Sequence, residues 1–349
     1  MSYYLLFYNK TLIMRTLLTF LTTFASFYCN GQAFFKSIYH PMADYMIGVN
    51  MIPNRDSSLT AFTSNRHLKA LKFDDFGNIL SAKNINTTNI ELDGGLLIDT
   101  ISRSTLIVSG TYYDITSPIP HEYNIYLSKI TNAGQPVWVK TIGSTQNREY
   151  AHKVKHTKDG GFIIVGEKWI GPVNPGRVYI VKTDSNAVIQ WAEGFDRAMM
   201  DAAFDVFETE NGFVIAGATD SLGTIGSFGL LIKTNKSGHI MWIKGYGAPF
   251  SFATSIIRDN NFFLLAGGLG HREYLGGVGA SFDFNDNHVV LLKTDSMGNP
   301  VWAKLYQFDD GAYASKIIKT IDGGYLLEGI VGHLLSASDF SPFLLKRTA

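Results

Sequence analysis

The stretch KTDSMGNPVWAK, from Lys293 to Lys304, recurs along this chain with small changes. Similar strings begin at four other lysines: KFDDFGNILSAK at Lys72, KITNAGQPVWVK at Lys129, KTDSNAVIQWAE at Lys182 and KTNKSGHIMWIK at Lys233. In each string Gly or Ala stands five residues after the lysine, and Trp or, once, Ser follows four residues later. The tryptophans Trp138, Trp191, Trp242 and Trp302 are 53, 51 and 60 residues apart. A period of this length predicts an array of similar structural units.

A second apolar string ending in glycine precedes each lysine string. It reads DGGFIIVG up to Gly166, NGFVIAG up to Gly217, FFLLAG up to Gly267, DGGYLLEG up to Gly329 and STLIVSG up to Gly110, with DSSLTAFT as the weakest copy. Each unit therefore contains a short strand, an apolar strand ending in Gly, a variable loop, an apolar strand ending in Lys, a turn and a strand with Trp. Four strands in about 50 residues, with no helical stretch, are typical of a β-propeller blade.

The turn after each lysine follows from its residue types. Asp, Asn or Thr opens it, at Asp74, Thr131, Asp184, Asn235 and Asp295, and Gly stands three residues later at Gly77, Gly134, Gly238 and Gly298. Asp and Asn accept hydrogen bonds from nearby backbone amides, and Gly adopts positive φ without strain, so the pattern predicts type I turns between adjacent strands. We expect the repeated tryptophan to be buried as a packing anchor between blades.

Six units can be counted, and the last is incomplete. They occupy about 44–86, 95–143, 151–195, 201–246, 251–306 and 312–349. The chain ends just after the lysine of the sixth unit, without the turn and the Trp strand. Near the other terminus, GQAFFKSIY at Gly31–Tyr39 resembles GQPVWVKTIG at Gly134–Gly143. We therefore predict an all-β, six-bladed β-propeller of four-stranded blades, closed by the N-terminal strand. A seventh blade is the alternative.

The repeats resemble those of secreted bacterial β-propeller proteins, whose blades read roughly DGGYIVAG…LIKTDSNGNVQW. The resemblance covers residues 31–349 and implies the fold more than any function. The Asp-x-x-Gly-x-x-x-Trp spacing is also similar to the tryptophan-docking turn of quinoprotein propellers, which are eight-bladed enzymes with a quinone and a metal. Because six units occur here without an apparent metal cluster, only the packing role of Trp302 and its equivalents is carried over.

The N-terminus has a different composition from the rest of the chain. Residues 1–31 contain no Asp or Glu, two cations at Lys10 and Arg15, and then the apolar run TLLTFLTTFASFYC. This pattern predicts a secretory signal peptide over 1–31, starting at Met1 or Met14, and a single propeller domain over 32–349. The mature protein would lack Cys29, the only cysteine, and would have no transmembrane helix. We expect it to be secreted, periplasmic or on the cell surface.

Composition and motifs exclude several kinds of function. The formal net charge is zero, so no basic field would attract nucleic acid. The polar residues of FDFNDNH (Asp283, Asn285, Asn287) echo part of a calcium loop, but His288 stands where that loop needs Gly. His152 and His156 are four residues apart, too far on a strand to share one ion. We therefore predict no metal and no cofactor.

The six repeated lysines, completed by Lys346, are expected to reach turn carboxylates or carbonyls.

A candidate ligand site lies where the repeat is broken, because functional residues are concentrated in variable loops. The loops between second and third strands vary most, and in a propeller they share one face with the connections between blades. Aromatic, acidic and His residues from these segments form the predicted ligand-binding set: Tyr45, Tyr150, Asp201, Phe252, His271, Tyr274 and Tyr313. Such a rim suits an extracellular glycan, peptide or protein.

Two functions remain open at this stage. The favoured interpretation is an exported, non-enzymatic binding or scaffolding propeller with no catalytic residues. The alternative is an extracellular glycan-active hydrolase or lyase with loop carboxylates such as Glu122, Glu273 and Asp283. Enzymes of this fold usually direct acidic or His side chains from the inner strands, and here Asp205 and Arg258 are the exceptional charged residues.

Overall fold

The computed structural model describes the following residues: 47–53, 58–65, 67–74, 78–85, 90–102, 104–114, 123–144, 147–170, 176–195, 201–219, 228–247, 251–269, 288–308, 311–332 and 341–347. They form strands and turns, and no helix occurs among them. The strands build six antiparallel sheets in chain order, which are the blades of a six-bladed β-propeller. The predicted fold class is confirmed.

The first three sheets have four strands each. The first contains β1 (Ile47–Pro53), β2 (Leu59–Asn65), β3 (His67–Phe73) and β4 (Ile79–Ile85). The second contains β5 (Ile90–Ser102), β6 (Thr105–Asp114), β7 (Tyr123–Thr131) and β8 (Pro136–Ile142). The third contains β9 (Asn147–His156), β10 (Phe162–Ile170), β11 (Arg177–Thr183) and β12 (Ile189–Phe195).

The other three sheets follow the same strand order. The fourth contains β13 (Asp201–Thr209), β14 (Gly212–Thr219), β15 (Phe228–Asn235) and β16 (Ile240–Tyr246). The fifth contains β17 (Ser251–Asp259), β18 (Phe262–Leu269), β19 (His288–Thr294) and β20 (Pro300–Tyr306). The sixth has three described strands, β21 (Ala312–Lys319), β22 (Tyr325–Val331) and β23 (Ser341–Arg347).

The middle strands are buried on both faces. All eight residues of β14 are buried, as are the first five of β10. These strands read as continuous apolar runs because sheets pack against both of their faces, which removes the polar alternation of a half-exposed strand. The apolar strands ending in Gly that the sequence predicted are therefore confirmed as middle strands of their sheets.

The cores lie between neighbouring sheets. The chain divides into two compact units, one ending at Phe162 and the other beginning at Ile163. In the first unit, Phe62 of the first sheet packs with Tyr126 of the second. In the second unit, separate clusters join the third sheet to the fourth, the fourth to the fifth and the fifth to the sixth.

The outer strands β4, β8, β12, β16 and β20 are mostly exposed and, in the described part of the chain, pair on one side only. Large apolar side chains stand at the start of each, among them Leu80, Val137, Ile189, Met241 and Val301. The repeated tryptophans also lie on these strands and are half-buried. The expectation that they are buried is met only in part, because they lie on edge strands.

The turn before each Trp strand has the predicted geometry. The amide of its fourth residue donates to the carbonyl of its first, as in Gly238 N to Asn235 O at 3.2 Å. The Asn235 side chain accepts from the backbone amides of Ser237 and His239, both at 3.0 Å. Gly238 has φ of 85°, and its equivalent in the third sheet, Ala187, has φ of 60°. The position therefore requires the left-handed conformation even where the residue is not Gly.

The turns of the fourth and fifth sheets each receive aromatic side chains from the preceding sheet. Trp191 Nε1 of the third sheet donates to Lys236 O in the turn of the fourth at 2.9 Å. Tyr246 of the fourth sheet donates its hydroxyl to Gly298 O in the turn of the fifth at 2.6 Å. A Cβ atom built on Gly238 would lie 2.7 Å from the Trp191 ring, and one on Gly298 would lie 2.9 Å from the Trp242 ring. The role of these tryptophans in packing between blades is confirmed.

Trp302, the last of the repeated tryptophans, packs against a different kind of side chain. The guanidinium of Arg347, near the end of β23, lies 4.0 Å from the ring centre of Trp302. A cation thus covers this indole from the sixth sheet, within the part of the chain that the structure describes. Residues 33–39, the predicted closing strand, lie outside the described residues, so closure of the propeller stays a prediction.

Candidate functional site

The candidate site is at one end of the sheets. The first strand of each sheet, which we call the inner strand, begins at this end, and the second and third strands are joined there. We call this the loop end. Of the predicted ligand-binding residues, four are described: Tyr150, Asp201, Phe252 and Tyr313. The other three, Tyr45, His271 and Tyr274, lie outside the described residues, as do Glu122, Glu273 and Asp283.

Tyr150 is the predicted site residue that belongs to a partly open aromatic surface. Its ring stacks on that of Tyr123, with ring centres 5.3 Å apart and planes inclined by 29°. Tyr123 begins β7 and Tyr150 lies in the first half of β9, so the pair joins the second sheet to the inner strand of the third. Both side chains are half-buried, which leaves part of each available to a ligand.

Phe252 and Tyr313 form a second aromatic pair, and it is closed. Their rings meet edge to face with centres 5.6 Å apart, and Phe252 is 7% exposed. The Phe252 ring also covers Gly268, where an added Cβ atom would lie 2.6 Å from it. Burial raises the pKa of the Tyr313 hydroxyl. This pair packs the fifth sheet against the sixth, so Phe252 presents little surface to a ligand.

Asp201 is also buried, at 5% exposure. Its backbone amide donates to Gly176 O at 2.8 Å, which ties the start of β13 to the segment that leads into β11. The sequence indicated an acidic residue on the rim, and the structure places it beneath the rim.

Tyr150, Phe252 and Tyr313 occupy one repeated position. Each directly precedes an alanine of the inner strand: Ala151, Ala253 and Ala314. In β17 and β21 this alanine is followed by a β-bulge, and β13 has the same bulge after Ala203. The position before the alanine is therefore the place where an inner strand presents an aromatic ring at the loop end.

A further cluster at the loop end of the third sheet was missed from the sequence. A Cβ atom added to Gly176 would lie 2.5 Å from Glu167 Oε2 and 2.9 Å from Trp169 Nε1. The adjacent Lys168 ammonium lies 4.9 Å from the centre of the Tyr179 ring. The sequence signal is the string Glu-Lys-Trp near the end of β10, just before the variable loop.

The exceptional inner-strand charges do not form a catalytic pair. Asp205, 3% exposed, accepts hydrogen bonds from Ile256 N at 2.9 Å, Val206 N at 2.8 Å and Ser255 Oγ at 3.3 Å. Its carboxylate thus joins the fourth sheet to the fifth. Arg258 is exposed and donates from Nε to Asn260 O at 2.7 Å. Both residues lie away from the loop end.

Four of the six repeated lysines have contacts at the end of the sheets opposite the loop end, and three of them reach a carboxylate or a carbonyl, as predicted. Lys346 Nζ lies 2.7 Å from the turn carboxylate of Asp322, Lys293 lies 3.5 Å from Asp259, and Lys182 donates to Thr183 O at 2.7 Å. Lys233 instead donates to the hydroxyl of Thr209. These lysines stabilise turns and are not part of the candidate site.

The described part of the chain shows neither a metal-binding cluster nor a membrane-spanning helix. No group of three His, Cys, Asp or Glu side chains is arranged there to hold an ion. The His156 ring packs near Phe162, with ring centres 5.9 Å apart, and its amide donates to Asp99 at 2.7 Å. No described helix is long and apolar enough to cross a bilayer. The calcium-like segment 283–287 lies outside the described residues.

Comparison with known proteins gives likenesses of fold only. No protein family and no curated protein matches the chain. Similar solved structures include a Bacteroides caccae protein of unknown function (11% identity, 80% of this chain and 90% of that chain, TM-score 0.45). They also include Trypanosoma rangeli sialidase (11%, 87% and 55%, TM-score 0.49) and a mutant of Synechocystis apocarotenoid oxygenase (11%, 86% and 71%, TM-score 0.47). These three TM-scores are below 0.5, so the likenesses carry no argument about the ligand.

Proposed function

We propose that this chain is an exported β-propeller that binds an extracellular glycan at its loop end, without catalysing a reaction on it. The stacked pair Tyr123–Tyr150 is the observation that carries the proposal. Aromatic faces that remain partly open pack against the apolar faces of sugar rings, and the tyrosine hydroxyls can exchange hydrogen bonds with sugar hydroxyls. Peptide or protein ligands are the other outcomes of the test below.

The loop end of the third sheet supports the same proposal. Glu167, Lys168 and Trp169 follow one another at the end of β10, and all three side chains are half-buried. Successive side chains of a strand point to opposite faces, so Glu167 and Trp169 share one face of β10 and offer a carboxylate beside an indole there. Binding sites for small polar ligands typically combine a few polar groups with aromatic walls.

The two buried acids of the inner strands do not supply a catalytic pair. Asp205 and Asp259 accept hydrogen bonds from the neighbouring sheet, and each is less than one-tenth exposed. A glycoside hydrolase needs two carboxyl groups that both reach the scissile bond. These two acids serve packing between sheets instead, so an enzyme would have to use other carboxylates.

A polysaccharide screen tests the proposal. The mature chain, residues 32–349, would be run through gels containing individual polysaccharides, and the same mixtures would be assayed for released reducing ends. We expect retention by at least one polysaccharide without product release. Tyr150→Ala should weaken that retention at least tenfold, while Ile321→Ala, at a fully exposed turn of the opposite end, should not change it.

Two results would contradict the proposal. Product release would establish the hydrolase or lyase, and unchanged retention of a folded Tyr150→Ala variant would place the binding site elsewhere. Retention by peptides and not by polysaccharides would mean that the ligand is a peptide or protein and not a glycan. Circular dichroism of each variant confirms that the loss is not a loss of fold.

Export is part of the proposal and rests on the composition of residues 1–31. N-terminal sequencing of protein from the medium or the cell envelope should give a start between about Gly31 and Phe34. An intact Met1 or Met14 in that fraction would contradict export by a cleaved signal peptide.

A further inference from the structure

The junction between the fifth and sixth sheets contains a carboxylate that bridges two cations. Asp259 ends β17, and its Oδ2 lies 3.5 Å from Lys293 Nζ of the same sheet. Its Oδ1 lies 2.5 Å from Lys319 Nζ at the end of β21. Tyr325 also donates its hydroxyl to Asp259 at 2.6 Å. Cations from two sheets are thus joined through one carboxylate.

The preceding junction, between the fourth and fifth sheets, has the same positions with a different central residue. The β-bulges after Ala203, Ala253 and Ala314 align the three inner strands. Counted from these bulges, Thr209 is equivalent to Asp259, and Arg258 is equivalent to Lys319. Lys233 is equivalent to Lys293, because each pairs with the tryptophan of the next strand. We call Lys233, Thr209 and Arg258 the Thr209 junction.

The Thr209 junction keeps two cations but has no bridging acid. Lys233 donates to Thr209 Oγ1, and Arg258 donates to Asn260 O. Among the residues that the structure describes, no carboxylate forms an ion pair with Lys233 or Arg258. Burial, together with the charge of Arg258, lowers the pKa of Lys233 to about 8.

The junction is also open to solvent on one side. Arg258 is exposed and Lys233 is half-buried. A guanidinium presents a planar set of donors that matches a carboxylate or another oxyanion. An anion held here would neutralise two like charges that otherwise repel one another, and it would be partly shielded from water.

We propose that the Thr209 junction binds a small carboxylate, which takes the bridging place that the Asp259 side chain has in the next junction. The carboxylate is either a free ion or the acid group of a sugar or peptide. The junction lies at the opposite end of β13 from the loop end, so this inference does not depend on the proposed glycan site.

The test combines anion titration with substitution of the central residue. The melting temperature of the mature protein would be followed in sodium formate against sodium chloride at equal ionic strength. We expect formate to raise it by about 2 °C along a curve that saturates, because only a bound ligand gives a saturating response. Thr209→Asp should melt higher than the wild type and should no longer respond to formate.

Two further variants serve as controls. Thr209→Asn has the size of Asp without its charge, so it should not gain stability. Arg258→Gln should lose the formate response while the protein stays folded, because Arg258 is exposed. The pKa of Lys233, followed by nuclear magnetic resonance, should rise when formate binds and in Thr209→Asp.

A second titration distinguishes a free carboxylate ion from a carboxylate that belongs to a sugar or peptide polymer. A soluble polyuronate or an acidic peptide that competes with formate at the junction would identify a polymer ligand, and absence of competition would identify the free ion. The inference is wrong if formate and chloride act equally on the wild type, or if formate acts equally on all variants.

Discussion

Gly238 lies under the indole of Trp191, and this contact leaves no room for a methyl group. Its φ is 85°, and an added Cβ atom would come within 2.7 Å of the ring. Gly238→Ala is therefore destabilised in two ways, by the backbone conformation and by steric overlap. The left-handed conformation costs a non-glycine residue about 1–2 kcal/mol. The steric overlap with a packed ring adds about 1–3 kcal/mol.

We predict that Gly238→Ala lowers the free energy of unfolding by about 3 kcal/mol, measured by urea denaturation. Gly160→Ala is the matched control, because Gly160 also has φ of 85° but no atom lies within 4 Å of its added Cβ. It should lose only about 1 kcal/mol. Equal losses at the two positions would mean that the tryptophan contact does not restrict this turn.

Ala187 shows that the repeat tolerates one exception at this position. It keeps the left-handed conformation at φ of 60° and is 7% exposed. The hydrogen bond from Ala187 N to Asp184 O is 3.1 Å long, close to that of the glycine turns. Strain at a single residue is thus offset by the turn and by the burial of its methyl group.

Asp259 connects two neighbouring sheets, so its ionisation affects the packing of whole elements. The hydrogen bonds from Lys319 and Tyr325 hold the pKa of Asp259 below its ordinary value. Because the unfolded state binds the proton more tightly, this stabilisation is present above about pH 4 and is lost as the pH falls through the lower folded pKa.

We predict that Asp259→Asn lowers the free energy of unfolding by about 2 kcal/mol at pH 7, less than for a fully buried pair because Lys319 is partly exposed. The difference from the wild type should shrink steadily below pH 4. Denaturant unfolding at pH 7 and pH 3 checks this. A difference that stays constant would indicate lost packing instead of lost charge. Asp322→Asn, which removes an exposed ion pair, should change stability little at either pH.

The strand order and the turns could be predicted because each depends on residues close together in the chain. The turn at Asn235 and the pairing of Lys233 with Trp242 need only the local sequence. The contact of Asp205 with the Ile256 amide could not be predicted, since it depends on how two sheets some fifty residues apart align at their bulges.

The candidate site was predicted less well than the fold. Tyr150 and Phe252 occupy equivalent positions, yet the first is half-buried and the second is covered. The difference depends on neighbours such as Tyr313, which the repeat does not specify. Sequence repeats identify shared positions, whereas the depth of a side chain depends on segments that differ between units.

Closure of the propeller by the N-terminal strand is a property of the whole molecule and not of a single sheet. The sixth sheet has three described strands, and the sequence predicts that residues 33–39 pair with β23 as its fourth. An unpaired apolar edge would leave backbone donors and acceptors open to other chains. Residues 33–39 lie outside the described residues. Their pairing is therefore tested through the stability of the protein with and without them.

We predict that deleting residues 32–39 from the mature protein lowers its melting temperature and promotes association. The protein that begins at residue 32 is the control, and the deleted segment added as a peptide should partly reverse both effects. Calorimetry and light scattering give the two readouts. A deletion variant that melts like the control and stays dispersed would rule out closure by the N-terminal strand.

The exposed apolar side chains of the outer strands have a consequence for the protein at high concentration. A flat edge with open backbone groups and side chains such as Leu80, Ile189 or Met241 is a template for adding a strand from another molecule. The outer strands of the second and fifth sheets begin with Pro136 and Pro300, which each remove one backbone donor. Edge-to-edge fibre growth in concentrated solution would therefore begin at the first, third or fourth sheet, whose described outer strands carry no such proline.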